Sequence, residues 1–173
     1  MVEPVEDSQS WAVSNFGLCE LGDQRRTNRA VQIARRMADN PSGSSPRQIT
    51  EWSELKACYR FFNSESVTFD ALARPHWDQT RESARGRVLI ICDTTEMSYS
   101  QNRKIQGLGP VGKGSTIGFF LHNALMATAE TGEILGLAQQ ELFHRVPAPS
   151  KENRRQRSRR PRESEIWGQM VDA

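Results

Sequence analysis

Five consecutive apolar residues, Val88-Leu89-Ile90-Ile91-Cys92, divide this chain into two halves of different character. The run is short and rich in β-branched side chains, which predicts a central strand buried on both faces. Before it the pattern is helical; after it the pattern is mostly β. The expected fold class is therefore α+β, with an all-helical front and an antiparallel sheet behind it.

The helical front has its own punctuation. Ala30, Ile33, Ala34 and Met37 recur at helical spacing, with Val31 beside them, and predict an amphipathic helix over residues 24 to 39. Asp23 is a suitable N-cap, and Asn40-Pro41 stops the helix. The Ser/Gly/Pro-rich stretch 41 to 46 reads as a turn. Thr50 is expected to cap a second helix that buries Trp52, Leu55, Tyr59 and Phe62. Thr68 is expected to cap a third, with Phe69, Leu72, Ala73, His76 and Trp77 on one side and a kink or a fresh start at Pro75.

Behind the apolar run, Asp93 stands at the expected end of its strand, followed by a glycine-studded loop from Ser98 to Gly118. Phe119 to Ala129 and Ile134 to Arg145 read as two strands joined at Glu130-Thr131-Gly132, where Gly132 can take the left-handed position. Residues 146 to 162 read as a basic loop, and Glu163 to Val171 as the start of a further helix. The expected domains are 8–85 and 86–173.

Composition excludes several classes. No apolar run is long enough to span a bilayer, and the acidic start has no apolar segment behind it to make a secretory signal. Cys19, Cys58 and Cys92 are widely spaced and form no CxxC pair, so they read as buried thiols of a cytoplasmic protein. The net charge is only +2, but its cations gather in two places. One holds Arg25, Arg26, Arg29, Arg35 and Arg36; the other is Lys151 to Arg162. Such clusters are the electrostatic footprint of a polyanion partner, or else solvated surface.

Gly107, Gly109 and Gly112 satisfy G-x-G-x-x-G, and the stretch to Lys113 approaches a P-loop. Both motifs need a helix next, and here a strand follows; position 114 is glycine where the P-loop requires Ser or Thr. A flexible loop is the better reading, with Lys113 free to touch a backbone phosphate. His76, His122 and His144 share no spacing that suggests a common metal, and His122 has no assigned role. Asp93 has two readings, a cap for the turn after the strand or a metal-type carboxylate.

Several segments in order resemble a known family. Leu21-Gly-Asp-x-Arg-Arg-Thr-x-Arg29, Cys58-Tyr-Arg-Phe-Phe62, Asp93-Thr-Thr-x-x-Ser-Tyr99, Gly107-Leu-Gly-Pro-Val-Gly112 and Leu135-Gly-Leu137 resemble bacterial insertion-sequence transposases of the Tn-five type. Arg145 and Glu163-Ser-Glu-Ile-Trp167 fit as well, with Ile166 where the family has lysine. The resemblance implies a helical domain that reads the inverted-repeat ends of a transposon. It also implies the first three antiparallel strands, and the start of the next helix, of an RNase H-like catalytic core.

In that family three carboxylates hold two Mg2+ or Mn2+ ions for phosphodiester cleavage and strand transfer, and the enzymes act as dimers on two DNA ends. Asp93 matches the first carboxylate, as both catalytic residue and metal ligand. Arg25, Arg26, Arg29, Arg60 and Lys113 are the expected DNA-binding residues. The family's second Asp lies beyond the helix starting near Glu163, and its Glu lies later still in a Tyr-Arg-Glu-Lys signature. Asp172 stands too close to Glu163 to be the second ligand. The expectation is therefore a truncated transposase that binds no metal tightly and does not cleave DNA alone, located in the bacterial cytoplasm with the nucleoid. Strands flanking residues 88–92 would be missing, leaving an apolar edge. The alternative is a small protein-interaction module or DNA-binding regulator derived from a transposase.

Overall fold

The computed structural model describes residues 7–100, 105–112, 116–145, 149, 151–159 and 165–172. The chain divides into two compact units, Met1–Gln79 and Thr80–Ala173.

The first unit is helical. Its elements are α1 (Ser8–Phe16), α2 (Gln24–Asp39), the short α3 (Ser45–Gln48) and α4 (Trp52–Phe62); α5 (Phe69–Ser83) begins in it. Asp23 caps α2 by accepting from the Arg25 amide at 2.8 Å, which leaves fewer of the helix's first amides unsatisfied. The apolar stripe of α2 buries Thr27, Ala30, Ile33 and Ala34. These side chains pack with Cys19, Leu21, Ile49, Leu55, Cys58 and Phe61 into one core, with Met37 at its margin.

Three features differ from the sequence expectation. Asp7, whose carboxylate accepts from the amides of Gln9 and Ser10, caps α1, a helix that no apolar period announces. The N-cap of α4 is Glu51, not Thr50, and it makes no side-chain cap bond. The face that α4 buries is Leu55, Cys58 and Phe61, whereas Trp52, Tyr59 and Phe62 are exposed. The helix carries two overlapping apolar stripes that share Leu55, and packing decides between them. Thr68 does cap α5, accepting from the Ala71 amide at 3.1 Å, and the helix continues through Pro75 without a break.

His76 lies in the first unit, part-buried, with Nδ1 at 2.9 Å from Asn15 Oδ1. With that oxygen accepting, the ring's Nδ1–H donates. Burial lowers the pKa of His76 below its ordinary value. A depressed histidine pKa stabilises the fold above the unfolded value, about 6.5. That contribution is lost as pH falls through the folded value. The urea midpoint of this unit is therefore expected to drop between pH 7.5 and 5, and His76→Gln is expected to flatten the drop. An equal drop in the variant would rule His76 out as its source.

The second unit is built on an antiparallel sheet. Its strands are β1 (Val88–Tyr99), the two-residue β2 (Gly109–Pro110), β3 (Ile117–Thr128) and β4 (Ile134–Phe143). β3 is central: β1 pairs with it along one side, from Val88↔Thr128 to Tyr99↔Ile117, and β4 and β2 pair with it as well. Gly132 turns the β3–β4 connection with φ +72, in the left-handed region that suits glycine. Two register shifts interrupt the β3–β4 ladder, between Ala124 and Leu125 and between Met126 and Ala127.

Among the described residues the apolar run is therefore not buried between two strands but lies at an edge of the sheet, as expected if its flanking strands are missing. Among the described residues β1 is paired only with β3, and Leu89 and Ile91 are half exposed, at 49% and 51%. Nor does the strand end at Asp93; it continues to Tyr99. An edge strand tolerates the carboxylates of Asp93 and Glu96 because they remain in water. The stretch expected to be a basic loop contains a short helix, α6 (Arg154–Arg159), and α7 (Glu165–Asp172) follows it.

Candidate nucleic-acid interface

α2 displays its charge on the side its core does not use. At 100° per residue, Arg25, Arg29, Gln32 and Arg36 form one stripe that borders the arc of Thr27, Ala30, Ile33 and Ala34, with half-buried Arg29 one turn from Ile33. The arginines of the cluster do not share one role. Arg36 pairs with Glu54 of α4 at 3.4 Å. Arg35 turns to Asp39, at 3.7 Å, and to Gln9. Arg26 donates from Nη1 to the Leu21 carbonyl at 3.0 Å. Among the described residues, no hydrogen bond or ion pair holds the guanidinium of Arg25 or Arg29.

Arg26 has a local task. Gly22 turns the chain into α2 with φ +76, and an added Cβ there would stand 3.4 Å from Arg26 Nη1. The guanidinium therefore closes the turn that Gly22 makes. Arg26→Ala is expected to lower the stability of the first unit by about 1 kcal/mol, the worth of a charged hydrogen bond at a half-exposed site. Its DNA affinity at a temperature where both proteins are folded is expected to change less than threefold. A loss of DNA affinity without a loss of stability would move Arg26 to the binding surface.

Arg29 stands between the two main helices. It lines a cleft of about 150 Å³ with Gln32, Ile33, Arg36, Ile49 and Glu54. Its positive charge also pulls down the pKa of the Cys58 thiol, against the larger upward push of burial. Cys19, buried in the same core, is pushed up to about 11 by burial, so both thiols are inert at neutral pH. Arg60 lies on the outer side of α4, its Nε 3.5 Å from the Lys56 carbonyl. No contact joins it to Arg25 or Arg29 among the described residues. Lys113 lies outside the described residues. Arg36, already named in the basic cluster, and Gln32 complete the stripe; Gln32 was not anticipated, although its spacing of seven residues from Arg25 would have revealed it.

Residues 8–67 match the transposase DNA-binding family model. The front of this chain is thus similar to the DNA-binding domain of transposases. The match supports DNA as the partner of the first unit, and both α2 and α4 lie within the matched stretch. No helix among the described residues is long and apolar enough to cross a membrane.

Asp93 sits in the second unit, exposed, opposite Asn123 in the β1–β3 register. Asn123 Oδ1 in turn accepts from Gln140 Nε2 at 2.7 Å. On the other face of the sheet, Thr94 Oγ1 meets His122 Nδ1 at 2.6 Å. His122 is 1% exposed, its Nε2 finds no hydrogen-bond partner among the described residues, and its ring lies 5.1 Å from that of Trp167. Burial lowers the pKa of His122, partly opposed by the charge of Asp93. No group of three or more His, Cys, Asp or Glu able to hold a metal occurs among the described residues. One carboxylate flanked by amides does not match the donor set of a two-metal centre, which requires several converging carboxylates.

Proposed function

We propose that this chain binds duplex DNA through the arginine face of α2, as the end-recognition part of a Tn-five-type transposase. The observation that carries the reading is the pair of unengaged guanidiniums, Arg25 and Arg29, on one face of a helix within the matched domain. They are one turn apart, about 6 Å along the axis. Guanidinium forks suit phosphate oxygens and guanine edges. The N-terminus of α2 is already occupied by the Asp23 carboxylate, so the side chains, and not the helix amides, make the contact. Arg36 joins them if DNA phosphate displaces Glu54, and Arg60 adds a backbone contact from α4.

In the same reading Asp93 is the first carboxylate of an RNase H-like centre. Its place in the Asp-Thr-Thr stretch supports this. The other carboxylates are not among the described residues around it, and no cleavage step is derived. An electrophoretic shift tests the binding proposal. Inverted-repeat DNA is expected to be retarded at lower protein concentration than random duplex, and both shifts are expected to weaken steeply with salt.

The interaction-module reading draws on one observation, the exposed row Trp52, Tyr59 and Phe62 on α4. Absence of any shift at low salt would favour it.

A further inference from the structure

The second unit carries a concentration of charge that neither the sheet nor α2 explains. α6 places Arg154, Arg155, Arg157 and Arg159 within six residues, all exposed. From Lys151 to Arg159 there is no apolar residue, so nothing packs this helix onto a core. A bare run of like charges would be expected to remain extended. Instead the turn is fastened by a reciprocal cap: Gln156 donates its amide to Asn153 Oδ1 at 2.9 Å, and Asn153 donates its own to Gln156 Oε1 at 3.0 Å. The Asn153 carbonyl also accepts from the Arg157 amide at 2.9 Å. This is a capping box, and it supplies from side chains the hydrogen bonds that hold the first turn.

The four guanidiniums themselves are uncommitted. Among the described residues no ion pair or side-chain hydrogen bond engages any of them. Arg155 and Arg159 are four apart and share one side; Arg154 and Arg157 are three apart and share another. A display on two sides suits the rows of phosphates along a duplex better than one shaped pocket. The lack of any apolar side chain argues against insertion into a lipid surface. The chain also brings its own duplex, because a DNA-binding domain is tethered to this unit and raises the local DNA concentration.

We propose that α6 is a second, sequence-independent DNA site that binds duplex phosphates, whether or not α2 binds DNA. Salt dependence measures this directly, because each neutralised phosphate adds about 0.9 to the log–log slope of affinity against salt. The full chain would be compared with the R154Q/R155Q/R157Q/R159Q variant and with the same four positions changed to lysine. Binding to random-sequence duplex would be followed by fluorescence anisotropy from 50 to 200 mM salt.

The glutamine variant is expected to lose at least tenfold in affinity at 50 mM. Its slope should become shallower by up to about 3.6, four contacts' worth, and the lysine variant should keep the slope. An unchanged slope in the glutamine variant overturns the proposal. R25A/R29A, run in parallel, separates the two readings. If it alone weakens binding, the α2 reading stands and this one fails; if the glutamine variant alone does so, the reverse holds.

Discussion

Replacing Arg25 and Arg29 together by alanine is expected to weaken binding to inverted-repeat DNA by about two orders of magnitude, and to leave the fold intact. The size follows from the chemistry of the contacts. A hydrogen bond to a charged partner contributes about 1.5 kcal/mol or more, and each 1.4 kcal/mol is a tenfold change in affinity. Among the described residues no hydrogen bond or ion pair engages either guanidinium, so their removal leaves none of these groups unpaired. Thermal melting of R25A/R29A should therefore overlay that of the unaltered protein. The variant should also lose about 1.8 from its salt slope, two contacts' worth. Affinity within threefold of the original would show that the arginine face of α2 is solvated surface.

The second large effect lies in the core behind that face. Phe61→Ala is expected to destabilise the first unit by about 3–5 kcal/mol, the usual cost of emptying an aromatic core site. Phe61 is 6% exposed and packs with Leu55, Cys58, Ile33 and Ala30, the residues that hold α4 against α2. A unit of this size has a total stability of only about 4–12 kcal/mol. The substitution therefore removes a large share of it, and DNA binding should fail through unfolding. Hydrogen exchange resolves where the loss occurs. Amides of α2 and α4 should lose protection, whereas those of β3, in the other compact unit, should keep it. The same truncation at Phe62, which is 49% exposed, should cost under about 1 kcal/mol. Equal losses at Phe61 and Phe62 would contradict the register assigned to α4.

That register shows where sequence reasoning reached its limit. For α2 the sequence held everything needed: one unambiguous stripe, Asp23 before it and Asn40-Pro41 after it, and the helix runs over the expected residues. In α4 two stripes were available, and only contact with α2 and Ile49 selects Leu55, Cys58 and Phe61. α1 has no clear apolar period; its one local signal is Asp7 ahead of the amides it caps. The apolar run at Val88 identified a strand correctly, and the expected lack of flanking strands agrees with its place at an edge among the described residues; periodicity alone pointed to the centre. A run that is apolar on both faces suits a central strand, yet β1 is paired only with β3 among the described residues and extends through two carboxylates to Tyr99.

The candidate site was legible in part. Arginine spacing identified the pair Arg25 and Arg29, but not that Arg26 closes the Gly22 turn or that Arg36 faces Glu54. Those roles depend on a backbone carbonyl and on a second helix, which one-dimensional spacing does not encode. The basic stretch after residue 150 was legible as charge; its capped helix rests on a short-range pairing of Asn153 with Gln156.

The central claim is that Arg25 and Arg29 meet DNA directly. It is tested most directly by following the arginine side-chain Nε–H resonances of the full chain during titration with inverted-repeat duplex. The account predicts large shifts for Arg25 and Arg29 and small ones for Arg26 and Arg35, whose guanidiniums are already engaged within the fold. Saturable binding with no change at Arg25 and Arg29 would contradict it.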